Sequence, residues 1–193
     1  MKKAESVKYI ILDGIMRKAV HTLLILILLM TLVGCFFNMQ YPKQWPPILS
    51  SSGKPCPDIS GDYRNIAIGG YLSLSDVLLK KWYGNRYYPT NRRVTISQMK
   101  DSIYVTTYCG WITGVRKTLI LGRDYQCSEG RVMFSKSEFV GDIATGYSAV
   151  TFAFQKAEDG SLILHTREWG AGVVALIIPF VARDSRYYRF SKY

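Results

Sequence analysis

The sequence predicts a mainly β protein: a single antiparallel β-barrel or sandwich with one short helix. Three observations predict it. From Val94 onward, short runs of β-branched and aromatic residues alternate with polar ones. Turn signals such as Lys100-Asp101-Ser102, Ser128-Glu129-Gly130 and Glu158-Asp159-Gly160 punctuate the runs. In the part read as folded, helical spacing appears in one stretch, Leu72–Gly84, before the strands begin.

The chain opens differently. From Leu23 to Val33 it is almost wholly apolar, preceded by Arg17, Lys18 and His21. A basic flank, a short apolar core and a small residue before the break are the parts of a secretory signal. The core is about ten residues, where a spanning helix needs roughly 20. It ends in Leu32-Val33-Gly34-Cys35, which resembles the lipobox of bacterial lipoproteins. The resemblance implies a diacylglyceryl group on the Cys35 thiol, cleavage after Gly34 and acylation of the new amine. Two or more acyl chains anchor a protein stably, whereas one holds it only marginally. The alternative is an uncleaved anchor, or a buried core helix ending at a chance cysteine. Met16 can open a conventional leader by itself, so Met1 and Met16 both stand as start sites. Phe36 follows the cysteine, in place of the aspartate that retains many Gram-negative lipoproteins at the inner membrane. By resemblance, this implies a lipid-anchored cell-envelope protein on the inner leaflet of the outer membrane, facing the periplasm. The domain boundaries are then a signal peptide at 1–34, a lipidated N-terminus and tether at 35–57, and one β domain at 58–193.

The full chain carries 25 basic and 14 acidic residues. The leader holds Lys2, Lys3, Lys8, Arg17 and Lys18 against Glu5 and Asp13, which leaves 20 basic and 12 acidic residues downstream, a net charge of +8. The 159 residues after Gly34 suffice for one cored domain and a tether. A basic balance suits anionic partners: the membrane that holds the anchor, lipopolysaccharide, peptidoglycan or an acidic face of another envelope protein. Nucleic acid is not expected of an exported chain. An oxidising compartment permits one disulfide among Cys56, Cys109 and Cys127. Cys109 is in phase with Ile103, Val105 and Thr107 on an expected inward face, where a free cysteine behaves as a small apolar residue. That favours Cys56 with Cys127, a bridge worth about 4 kcal/mol in the chain-entropy model; Cys109 with Cys127, worth about 3 kcal/mol, stays open.

Pro42, Pro46, Pro47, Pro55 and Pro57, with Ser50-Ser51-Ser52-Gly53 among them, make 36–57 read as a partly extended tether. Tyr41 and Trp45 either lie at the bilayer interface or dock on the domain. The domain opens at Cys56-Pro57-Asp58-Ile59-Ser60-Gly61-Asp62-Tyr63, similar to the opening of small exported lipoproteins with no assigned activity. Gly61-Asp62-Tyr63 resembles the Gly-x-Trp of the first lipocalin strand, with tyrosine in the tryptophan position, so a lipocalin-like barrel is implied as one form of the fold. In Leu72–Gly84, Ser73 and Asp76 form a capping box, Leu74, Leu78 and Trp82 share a face, and Gly84 is the stop. Strands are expected at Ile59–Tyr63, Val94–Ser97, Ile103–Tyr108, Thr118–Leu121, Arg131–Ser135, Val150–Lys156, Leu162–Arg167 and Tyr187–Phe190, about eight in all. The apolar run Gly170–Val181 reads as a strand buried on both faces, with an exposed loop touching lipid or a partner as the alternative.

No catalytic constellation stands out, so the chain is read as a non-enzyme without cofactor. His165 is the one histidine after the leader, on a strand between Leu164 and Thr166, and no Cys-x-x-Cys or His-x-x-x-His spacing marks a metal site. No serine sits in Gly-x-Ser-x-Gly or in Ser-x-x-Lys with supporting context. Asp142, Glu158, Asp159 and Glu168 fall near turns or strand ends. The most suggestive patch is Trp82, Arg86, Tyr87, Arg92 and Arg93, with an echo in Arg186-Tyr187-Tyr188-Arg189-Phe190. Aromatic faces stack on sugars and guanidinium groups grip phosphates or carboxylates, so the patch is a candidate for anionic glycan. The bland reading is a helix-to-strand connection with aromatics covering the core edge. The expected function is a binding or structural role in the envelope; the alternatives are a lipocalin-like carrier of an apolar ligand and an envelope-polymer hydrolase.

Overall fold

The computed structural model describes residues 16–25, 36–50, 56–79, 92–109, 112–141, 144–174 and 178–193. Residues 16–25 are helical and exposed (α1). No helix among the described residues is long and apolar enough to cross a membrane. The strands are β1 (Phe36–Asn38), β2 (Gly61–Arg64), β3 (Arg93–Met99), β4 (Ser102–Cys109), β5 (Ile112–Ile120), β6 (Gln126–Ser128), β7 (Arg131–Val140), β8 (Ala144–Lys156), β9 (Leu162–Val174) and β10 (Ile178–Phe190), with α2 (Leu74–Leu79) between β2 and β3. They form two sheets, β1-β10-β9-β8-β7-β6 and β2-β3-β4-β5.

The architecture is sandwich-like, with no closed barrel among the described residues. Alternation along each strand puts one face inward. Tyr63, Val94, Ile96, Ile103, Val105 and Leu119 of the smaller sheet share one core with Val132, Phe134, Phe152, Phe154, Leu162, Leu164 and Phe190 of the larger. Each fully buried side chain of this size contributes about 1.5–3 kcal/mol. Leu74, Val77 and Leu78 of α2 join the core. The helix starts as its capping residues dictate: Asp76 N–H donates to Ser73 Oγ at 3.4 Å, and Asn65 Oδ1 accepts from Ser75 N–H at 2.8 Å. Along one side the sheets meet, where Arg64 N–H donates to Ser191 O and Tyr193 N–H to Asp62 O, both at 2.9 Å.

Turn chemistry matches the expectation. Gly160 takes φ 79° in the β8–β9 turn, and Glu129 and Gly130 both take positive φ between Ser128 and Arg131, the geometry of a two-residue primed hairpin turn. Cys56 is joined to Cys127, with Cα atoms 4.9 Å apart.

Four expectations change. First, β1 pairs parallel with β10, so the larger sheet is not wholly antiparallel. Second, 36–50 is a docked strap rather than a loose tether. After β1, Met39 N–H donates to Ser185 O at 3.1 Å, and at the far end Leu49 N–H donates to Lys156 O at 2.9 Å. Between these points Tyr41 packs edge-on against Tyr187 at 5.4 Å. Pro42, Pro46 and Pro47 occupy the crossing, where no ladder N–H is needed. Third, Cys109 is exposed. The β4–β5 register shifts between Thr106 and Tyr108, and Thr107 Oγ1 caps the irregularity by accepting from Val115 N–H at 2.9 Å. The buried face therefore ends at Thr107. Fourth, Gly170–Val181 is not one strand: it spans the end of β9 and the start of β10, which pair from Val174 with Ile178.

β8, β9 and β10 are 13 residues each, but the core uses only one end of them. Past Val150, Thr166 and Tyr188 they run beyond the smaller sheet. In this overhang Gly146 faces Gly172 so closely that a Cβ on Gly146 would lie 2.4 Å from Ala171 O, and one on Gly172 2.4 Å from Thr145 O. Gly172→Ala and Gly146→Ala are therefore each expected to destabilise by about 1–3 kcal/mol. Gly141→Ala, whose Cβ would meet only the Phe139 ring at 3.7 Å, is expected to be near neutral; urea unfolding midpoints of the three variants check this.

Candidate functional site

The outer face of the larger sheet carries a groove of about 560 Å³ over β8, β9 and β10, with Asn38 of β1 at its border. The register builds it in rows. Arg183 of β10 pairs with Trp169 of β9, which pairs with Ala149 of β8. One row on, Asn38, Ser185, Arg167 and Thr151 stand side by side. In the next, Tyr187 pairs with His165 and His165 with Ala153. Small Ala149 and Thr151 beside Trp169 and Arg167 make the depression. Glu168 and Asp184 occupy the intervening positions, so their side chains project to the other face, where Asp184 Oδ2 meets the Arg186 guanidinium at 2.5 Å. Arg167 is exposed and makes no ion pair among the described residues. A guanidinium in that state is available to an anion.

His165 closes the core-side end of the groove. It is 6 % exposed, its ring stacks on Tyr187 at 4.2 Å and 4°, and Nε2 is 2.8 Å from Ser185 Oγ. Burial first, then the charges of Arg167 and Arg131, push its pKa down to about 4. The imidazole is neutral at pH 7. Ser185 and His165 are thus a hydroxyl and base within reach, but a base of that pKa is too weak to activate a hydroxyl near neutrality. Among the described residues no carboxylate orients its other ring nitrogen, and none forms a metal-binding cluster with histidine or cysteine. The pair fixes the groove wall.

Of the patch expected from sequence, Trp82, Arg86 and Tyr87 lie outside the described residues. Arg92 is exposed, and its backbone holds β3 in place, N–H donating to Tyr108 O at 3.0 Å. Arg93 lies over the Tyr108 ring at 4.1 Å, and neither of the two lines the groove. The echo in β10 divides: Tyr187 enters the groove, while Arg189 anchors the β8–β9 turn through Asp159 and Ser161. Arg167, Trp169, Arg183 and Ser185 were not singled out from sequence. Their signal was equal parity: His165, Arg167 and Trp169 on one strand, Arg183, Ser185 and Tyr187 on the next. It is readable only once the apolar run is split into a hairpin.

Set against protein-family models, curated proteins and solved structures, the chain matches none of them.

Because the folded pKa of His165 lies below its unfolded value of 6.5, the unfolded chain takes up its proton first as pH falls. Folding stability is expected to drop by up to about 3 kcal/mol between pH 6.5 and 4 from this group, and to be independent of it above pH 7. His165→Gln should flatten that part of the slope in urea unfolding at pH 4.5 and 7.5.

Proposed function

We propose that this chain is a lipid-anchored protein of the bacterial cell envelope whose sandwich domain binds an acidic glycan, bearing phosphate or carboxylate, in the groove over β8–β10. The single observation that carries the binding reading is the Arg167 guanidinium, exposed and without an ion pair among the described residues, set one row from the exposed indole of Trp169. That arrangement offers a charge-assisted hydrogen bond and a stacking face to one ligand. The anchor reading is supported by the lipobox-like Leu32-Val33-Gly34-Cys35, and Phe36 supports the outer-membrane leaflet facing the periplasm. A carrier of an apolar ligand needs a hollow between the sheets. Tyr63, Phe154, Phe190, Leu162 and Leu164 fill that space at 0 % exposure, which favours binding on the outside.

Labelled palmitate is expected to enter the wild-type chain and not Cys35→Ser, which should remain unprocessed; equal labelling would end the anchor reading. Arg167→Gln is expected to weaken co-sedimentation with its ligand about tenfold, the loss of one hydrogen bond to a charged group. Peptidoglycan and lipopolysaccharide run as separate arms identify the source of the acidic group, and unchanged binding in both removes the groove proposal.

A further inference from the structure

The row that follows Arg183 toward the free end of the larger sheet is apolar. Phe139, Tyr147, Ala171 and Val181 stand side by side on four strands, and Phe139, Tyr147 and Val181 are 72 %, 46 % and 41 % exposed. Val173 and Pro179 continue the same face, and Phe180 covers Gly172 on the other. From this row outward every described residue of β7–β10 is uncharged; Asp142 belongs to the β7–β8 connection, outside the described residues. Immediately behind stand the charged rows: Arg183 and Arg167 on one face, Asp184, Glu168 and Glu138 on the other. Trp169 stands at the boundary, its ring 6.0 Å from that of Tyr147.

We propose that this end of the sheet docks into the lipid interface of the membrane, with Phe139, Tyr147 and Val181 among the acyl ends of the headgroup layer and Trp169 and Arg183 at the headgroups. An apolar tip, an aromatic boundary and a cationic rim follow one another in the order in which a bilayer interface presents hydrocarbon, interface and phosphate. The fold also points this end the right way. The chain enters β1 at Phe36, opposite Arg183, and runs parallel to β10 toward the core. In the anchor reading above, on which the orientation rests, the acylated residue is one peptide link, about 3.8 Å, from that point. Ile178–Val181 and their β9 partners then lie on the side away from the core.

The depth is bounded. The described part of the tip from Val181 to Ile178 is three residues, roughly 10 Å of strand, comparable with the 5–10 Å to which interfacial segments enter. Beyond Met133 the outer edge of β7 has no strand partner among the described residues, and unpaired backbone cannot enter hydrocarbon. The tip therefore stops in the hydrated interface. A bilayer suits this face better than a second copy of the chain, because Arg183 and Arg167 stand behind the apolar row on the same face and an anionic surface complements them, while on the opposite face Glu138 and Asp184 are engaged by Lys136 and Arg186.

The test uses the full chain carrying Cys35→Ser and Cys109→Ser, reconstituted from detergent into vesicles of phosphatidylethanolamine and phosphatidylglycerol. A nitroxide is placed at Val181→Cys, at Phe139→Cys, or at Glu158→Cys in the turn at the opposite end. The first two labels are expected to collide several-fold more with dissolved oxygen than with a water-soluble nickel chelate, and the third to show the reverse. Nickel accessibility at all three sites overturns the proposal, as does shielding of Val181 and Phe139 from both reagents, which would mean that protein covers the face. Acylation plays no part in these variants, so a failed palmitate experiment and a failed docking experiment are separate results.

Discussion

Thirteen consecutive residue pairs hold β9 to β10, from Val174 with Ile178 to Leu162 with Phe190, and that register is the constraint on which both faces of the molecule depend. Strand side chains alternate, so a slip of one residue would exchange the faces. Leu162, Leu164 and Phe190 would leave the core, and Arg167 and Trp169 would turn inward. Core and groove are therefore one requirement seen from two sides. The register is pinned at the core end by Arg189 of β10, whose guanidinium reaches Asp159 in the β8–β9 turn. The neighbouring β8–β9 register is pinned by Gly160 in that turn and, toward the free end, by the glycine pair, which allows no side chain between the two strands.

The strap adds a third layer where the smaller sheet is absent. Ile163, Ala153 and His165 face outward by alternation yet are buried, and the crossing of 39–50 with Tyr41 against Tyr187 accounts for it. Burying an imidazole here is tolerable only in its neutral form, since an unpaired buried charge costs several kcal/mol. Ser185 supplies its hydrogen bond and Tyr187 its stacking partner. The strap also makes β1 part of the sheet, so the path of the chain from residue 36 is fixed relative to the groove.

Legibility in the sequence followed burial. Strands with one face in the core, such as Val94–Ser97 and Leu162–Arg167, announce themselves by alternation, and the turns at 129–130 and 160 by Gly130 and Gly160, which accept positive φ. The overhang does not: 136–139, 145–149, 168–173 and 179–186 are exposed or half-buried on both faces, so nothing enforces a polar-apolar rhythm. The same gap hid the groove, because its residues sit on strand extensions that carry no core signal. The prolines of 36–50 misled for a different reason. They forbid a ladder where they stand, but β1 lies before them and the contact at Leu49 after them. The disulfide was anticipated on a premise that half failed: Cys109 keeps the phase of an inward face, but a register shift carries it past the end of the core.

Charge distribution decides what a net charge of +11 cannot. At physiological ionic strength interactions fade over about 8 Å, so most of the basic surplus is invisible to any one ligand. Only guanidinium groups within that distance of an anion act on it, and Arg167 and Arg183 are separated by one row of strand, roughly 7 Å. The acidic groups closest in sequence, Glu168 and Asp184, are displaced to the opposite face, with Asp184 engaged by Arg186. A single sheet thus carries Arg167 and Arg183 on one side and, on the other, Glu138 and Asp184 engaged by Lys136 and Arg186. That asymmetry arises from alternation alone.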